Sequence, residues 1–348
     1  VRPHGKAERH MKAMTRVWAI PVAVIMSAGI LAGCGDDSGD EPAQLTLYSG
    51  RSESLVGPLI EKIGTEIAVT PAYDKKAAQI LEEGDKSPAD LFFAQDAGEL
   101  GALADAGLLE PLPDDIAESV PQQYRTASKS WAATSGRSRV LVYNPDVLAA
   151  ADLPPGIDGL TDPKFRGKVG FAPTNASFKS FVTGLRVVRG EDGARDWLTK
   201  FLANDPKKFD GNGAILEAVN DGSLGAGLLN HYYWVQAVAE EGIGKVPSRL
   251  HFFGDGDPGA LVNVAGVAVL KSSDDKEEAF DFVRQLLTPE TQKFFTTEVG
   301  EYAVADNIPL PVADLPPLIS DLKPPKIDLD DLADVAGTEK LLTEVGAV

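Results

Sequence analysis

The chain has 348 residues, a formal net charge of −19 and a hydrophobic content of 43%. That length suits about two domains with a sizeable core, and 24% charged residues is ordinary for a globular chain. Residues 1–33 carry five Lys or Arg against one Glu, so removing their +4 from −19 leaves −23 on the remainder. A body this acidic excludes nucleic acid and anionic membranes as partners and draws cations.

The N-terminus reads as a targeting segment. Lys12 and Arg16 precede an apolar core at 17–30, which is too short to span a bilayer comfortably. The core runs into Leu31-Ala32-Gly33-Cys34. This stretch resembles the lipobox of bacterial lipoproteins, in which the bond before the cysteine is cut and the cysteine is lipidated. Residues 1–33 are therefore expected to be a lipoprotein signal peptide, starting at Met11 or Met14. Cys34 is the expected lipidation site, and 34–44 the lipidated cysteine with a flexible polar tether. The expected location is extracytoplasmic, lipid-anchored to the cell membrane or periplasmic. Cys34 is the single cysteine, so no disulfide framework exists. His4 and His10 fall in the leader, and the two histidines left, His231 and His251, exclude a multi-histidine or thiolate zinc site.

The body alternates two periodicities. Strand-like runs at 45–49, 67–73 and 89–93 alternate with helix-like runs at 54–65, 77–83 and 97–106. The stretch 128–144 reads as two strands kinked at Gly136, a crossing between lobes. A second series follows: strand 168–172, helices 178–189, 194–202 and 214–219, strand 224–229 and helix 232–241. Residues 261–270 form an apolar strand, 274–287 an amphipathic helix and 328–344 a further helical stretch. This rhythm predicts an α/β fold, mostly parallel, with helices on both sheet faces.

Three motifs sit at strand-to-helix junctions, where α/β proteins place ligand groups. Tyr232 and Tyr233 open the helix after strand 224–229. A tyrosine pair there either packs half-buried with bonded hydroxyls or presents two oxygens to a hard metal ion. Residues 173–178 (Pro-Thr-Asn-Ala-Ser-Phe) offer either a plain cap by Asn175 or Ser177, or a helix terminus that binds an anion. Residues 210–213 (Asp-Gly-Asn-Gly) open another helix, and Asn230 offers an amide beside the tyrosines. The acidic loop 254–259 lacks the spacing of a calcium loop and reads as a turn. No nucleophile elbow, phosphate loop or dinucleotide fingerprint is present, so no enzyme is indicated.

Five blocks together resemble the ferric-ion-binding proteins of bacterial iron ABC transporters, which have the type II periplasmic-binding-protein fold. They are Gly84-Asp85-Lys86-Ser87-Pro88-Ala89-Asp90, Ser135-Gly136-Arg137-Ser138-Arg139-Val140, Leu229-Asn230-His231-Tyr232-Tyr233-Trp234, Asp257-Pro258-Gly259-Ala260-Leu261-Val262 and Ala268-Val269-Leu270-Lys271-Ser272-Ser273. The resemblance covers 45–348. It implies a two-lobed molecule with hinge crossover strands: lobe 1 from 45–130 plus about 264–310, and lobe 2 from 131–263 plus about 311–348. It implies that Tyr232 and Tyr233 bind Fe(III) as phenolates, with a synergistic anion (phosphate, carbonate or citrate) at Asn175, Ala176, Ser177, Asn212 and Asn230. Two positions depart from the family pattern. Ser52 stands where a histidine ligand is expected and Gln95 where a glutamate is expected, with Asp96 one residue along as a substitute.

The chemistry is self-consistent, because Fe(III) is hard and prefers oxygen donors. A trivalent cation also stabilises phenolate despite a free tyrosine value near 10. The expected function is an extracytoplasmic solute-binding lipoprotein, a monomer, that receives ferric iron or a ferric chelate and delivers it to an ABC importer permease. The alternatives are the same fold with another small solute (polyamine, thiamine, phosphonate or other anion) and, from another class, an extracytoplasmic hydrolase.

Overall fold

Short β-branched and aromatic runs become strands wherever they can be covered on both faces. The strands are β1 (Leu45–Ser49), β2 (Val69–Ala72), β3 (Leu91–Ala94), β4 (Ala132–Tyr143), β5 (Val169–Phe171), β6 (Lys207–Lys208), β7 (Ala226–Asn230), β8 (Arg249–His251), β9 (Val262–Val269) and β10 (Tyr302–Ala303). The helices are α1 (Glu53–Ile63), α2 (Ala77–Glu83), α3 (Ala97–Asp105), α4 (Asp114–Ala117), α5 (Ala176–Ala203), α6 (Asn212–Asn220), α7 (His231–Glu241), α8 (Lys276–Leu286), α9 (Pro289–Phe294) and α10 (Val335–Glu344). The computed structural model describes residues 44–64, 67–312 and 316–348. The leader and Cys34 lie outside the described residues. Among the described residues, no helix is long and apolar enough to cross a membrane.

The sheet runs in the order β2-β1-β3-β9-β4-β7-β5-β6, with β8 and β10 also paired to β4. Its two outer parts are parallel: β1 with β2 and β3, and β5 with β6 and β7. The pairings of β4 are antiparallel and change partner along its length. Residues 132–138 pair with β9, and 139–143 pair with β7. One fully buried strand thus joins a first half-sheet to a second. Two apolar clusters cover it, one centred on β1, β3 and β9, the other on Phe171, Phe178, Trp197 and Phe201.

The α/β fold expected from the sequence is observed, with differences of detail. The two strands expected at 128–144 are one strand, and its irregularity is a register shift between Ala133 and Ser135. Helices 178–189 and 194–202 are halves of α5, broken at Gly190, whose φ of 71° only glycine adopts readily. Residues 328–344 are not one helix. Leu329–Ala333 is a 3₁₀ turn, and α10 starts only after Asp334 caps it. That turn lies flat on α3, where a Cβ on Gly98 would stand 2.5 Å from the Leu332 carbonyl and one on Gly101 2.6 Å from that of Asp330.

A buried ion pair fastens the first half-sheet. Arg51, in the β1–α1 loop, donates to Glu301 at 3.0 Å with both side chains at 0% exposure. Ser135 of β4 donates to the same carboxylate oxygen at 2.5 Å. Burial opposes the Glu301 charge, but Arg51, Arg137 and Ser135 outweigh it and hold the group below the usual carboxylate range.

Candidate metal centre

The parallel strands β3, β5 and β7 end on a common crevice, and residues at and just beyond their ends line a cleft of about 500 Å³. Asn230 closes β7 and stands at the N-cap of α7, so Tyr232 and Tyr233 fall in the first turn of that helix. Both are half-buried. Their rings are 4.4 Å apart, inclined at 31°. The Tyr232 hydroxyl is raised above the usual phenol range by burial first, then by the charge of Tyr233 and the hydrogen bond to it, with Arg137 pulling it back. The rings pack on one another, and both residues line the cleft. The preceding His231 turns inward, accepts from the Ser138 backbone N–H at 3.2 Å and stacks on Tyr302 at 4.3 Å. Burial lowers it to about 3, so it is neutral and structural.

The loop after β5 forms the adjoining wall. The Asn175 Oδ1 accepts from the Ser177 backbone N–H at 2.9 Å and from its hydroxyl at 2.7 Å, so Asn175 caps α5. Ala176 and Ser177 are the first residues of that helix and line the cleft, as does Asn230. Asn212 stands behind them and donates to the Ser177 Oγ at 2.9 Å, leaving its own Oδ1 unpartnered.

Arg137 lines the cleft, and Arg139 lies behind it, on a small cavity that both border. Arg137 and Arg139 are two apart on β4 and share a face, 5% and 2% exposed. Arg137 donates to the Gln95 carbonyl. Arg139 donates to the Leu228 carbonyl at 3.0 Å and to the Ser177 Oγ at 3.3 Å. The rings of Phe178 and Phe181 flank it at 5.5 Å each. Among the described residues Arg139 has no carboxylate partner, and burial lowers it to about 9. Both Nε atoms lack partners. Such an uncompensated buried cation is costly and attracts negative charge. The one clue in the sequence is an Arg-x-Arg directly before the apolar run Val140-Leu141-Val142.

On the opposite wall, Ser52 does not line the cleft. It is exposed, with its Oγ 3.1 Å from that of Ser54. Gln95 lines the cleft, and its Oε1 is buried without a partner. Asp96 is committed. One oxygen caps α3 through the Gly98 N–H at 2.9 Å, and the other accepts from Ser180 and Asn263 at 2.6 Å each. A larger groove of about 1030 Å³ near Pro324 and Pro325 has no tyrosine in its lining.

This fold and cleft define a two-lobed solute-binding protein. The chain belongs to the family described as bacterial extracellular solute-binding protein, which matches residues 86–334. It is 35% identical to the major ferric iron-binding protein of Neisseria meningitidis serogroup B over 87% of this chain and 93% of that one. It is 30% identical to the Fe(3+)-binding periplasmic protein of Serratia marcescens over 94% and 97%. Iron-bound HitA from Pseudomonas aeruginosa superposes with a TM-score of 0.76 at 35% identity, covering 88% of this chain and all of that one. The Trichodesmium protein solved with iron and citrate gives 0.75 at 26% identity, covering 87% and 99%.

Proposed function

We propose that this chain is an extracytoplasmic solute-binding protein that carries Fe(III) with an accompanying anion and delivers it to an ABC importer. The observation that carries the reading is the Tyr232–Tyr233 pair, rings 4.4 Å apart, at the mouth of a strand-end cleft. Relatives bearing ferric names across nearly their whole length support it. Two phenolates are hard donors suited to a trivalent ion. The anion, whether phosphate, carbonate or citrate, fits against the first turn of α5 at Ala176 and Ser177, with Asn230 beside it. Arg137 and Arg139 compensate its charge, and Asn175 and Asn212 hold Ser177 in place. The half-sheets on either side of β4 are the two lobes, which close over the cargo by a hinge motion. We read Cys34 as the lipid anchor and residues 34–44 as the tether of a monomeric carrier.

The test is titration of the purified protein with ferric citrate and phosphate, followed by visible absorption. A phenolate-to-iron charge-transfer band is expected, diminished in Tyr233→Phe and absent in the Tyr232→Phe, Tyr233→Phe double variant. A band of full strength in the double variant refutes the assignment.

A further inference from the structure

The ferric reading leaves a charge unaccounted for. Two phenolates balance two of the three positive charges on Fe(III), and the expected first-lobe positions hold the neutral side chains Ser52 and Gln95. A carboxylate one helical turn beyond Gln95 occupies the same wall. We propose that Glu99 is the third anionic oxygen ligand, so that Tyr232, Tyr233 and Glu99 hold the cargo between them; this rests on the ferric reading above.

The geometry has three parts. Glu99 lies in the first turn of α3, directly after β3, and its side chain lines the cleft that Tyr232 and Tyr233 line. Its carboxylate stands where loops from β1, α2 and α3 meet. The Oε2 would be 3.3 Å from a Cβ on Gly50, so the absent side chain leaves it room. The Ala77 backbone N–H is within hydrogen-bonding reach and steadies it from the start of α2. Neither of the other carboxylates on this cleft is free. Asp96 spends both oxygens on Gly98, Ser180 and Asn263. Glu339 accepts from the Lys179 Nζ at 2.5 Å. Among the described residues Glu99 forms no ion pair, although Lys76 stands near enough to favour its charge.

Electrostatics agrees with that placement. Burial, opposed by Lys76, pushes Glu99 up to about 7. A carboxylate in that state at neutral pH is short of a cation, and a trivalent ion in the cleft would supply one. The charges then separate into two balanced sets: iron against Tyr232, Tyr233 and Glu99, and the anion against Arg137 and Arg139. Gln95 has its backbone carbonyl taken by Arg137 and offers a neutral amide oxygen beside the site.

The experiment compares wild type, Glu99→Gln, Glu99→Asp and Glu339→Gln, each loaded from ferric nitrilotriacetate in excess phosphate. Readouts are the visible band, the Fe(III) electron paramagnetic resonance spectrum and the iron affinity by chelator competition. Glu99→Gln is expected to keep a tyrosinate band but with a displaced maximum, an altered resonance spectrum and affinity lower by roughly tenfold or more. Glu339→Gln should match wild type, because a mere change of cleft charge would not alter the resonance spectrum. A Glu99→Gln protein with wild-type spectrum and affinity overturns the proposal. If Glu99→Gln does not fold, Glu99→Asp decides: an altered spectrum supports the ligand and an unchanged one refutes it. Absence of any band in wild type sinks the ferric reading itself, a result distinct from failure of Glu99 alone.

Discussion

Replacing Glu99 by glutamine should stabilise the iron-free protein and reduce the further stabilisation that iron gives. In the folded chain burial raises Glu99 from an ordinary 4.5 to about 7. Between those values the native state binds more protons than the unfolded state, so stability falls as pH rises through this window. At ~1.4 kcal/mol per tenfold, the full window corresponds to a ceiling of roughly 3 kcal/mol at pH 8, shrinking towards zero near pH 4. Glutamine keeps the shape and an acceptor for the Ala77 N–H while removing the titration. Iron-free Glu99→Gln should therefore match wild type at pH 4 and exceed it at pH 8 by about 1–3 kcal/mol. Loaded protein gains stability by mass action, about 2.7 kcal/mol at a hundredfold excess over Kd. A tenfold loss of affinity removes about half of that, so the variant gains less from iron than wild type does. Denaturant unfolding at pH 4, 6 and 8, with and without iron, measures both effects. An iron-free stability difference independent of pH, or one favouring wild type at pH 8, refutes the reasoning.

Three other substitutions probe the frame around the cleft. Arg139→Met keeps apolar contact with Phe178 and Phe181 and removes an unpaired buried cation. The iron-free protein should gain about 1–4 kcal/mol and lose the rise in melting temperature that phosphate gives wild type. Glu301→Gln leaves Arg51 buried opposite a neutral group; a loss of about 3–5 kcal/mol is expected by denaturant unfolding. Gly98→Ala places a methyl 2.5 Å from the Leu332 carbonyl. It should cost about 1–3 kcal/mol and expose the segment after Leu329 to limited proteolysis, while leaving the charge-transfer band intact.

What was legible in the sequence had its cause close by in the chain. The strand 45–49 and the helices around 97–106 and 232–241 follow from apolar runs of the right period, and the structure places β1, α3 and α7 there. The strands missed are β6, β8 and β10, each two or three residues long. Lys207–Lys208 has no strand pattern of its own, and it extends only because β5 offers a free edge. The tail misread has the same origin. Residues 328–333 have helical composition, but docking against Gly98 and Gly101 favours a flat turn, which neither segment announces alone.

The site divides along the same line. The tyrosine pair and the Asn175–Ser177 cap are local motifs at junctions, visible because strand, turn and helix are contiguous. Arg139, Ser177 and Asn212 meet across dozens of residues. Glu99 meets the tyrosines only as a fellow lining residue of one cleft, and no spacing rule connects positions 99 and 232. Residue-by-residue comparison at position 95 finds glutamine and points to Asp96, one residue along, as the substitute. The fold gives a different result, because α3 turns its next carboxylate, at 99, toward the same cleft. On the proposed reading the requirement is an anionic oxygen near the cargo, not a fixed position in the chain. Any residue whose oxygen reaches that wall can satisfy the requirement, provided nearby cations do not claim it first. Asp96 and Glu339 fail that condition through their own hydrogen bonds, whereas Glu99, with room beneath Gly50 and no ion pair, meets it.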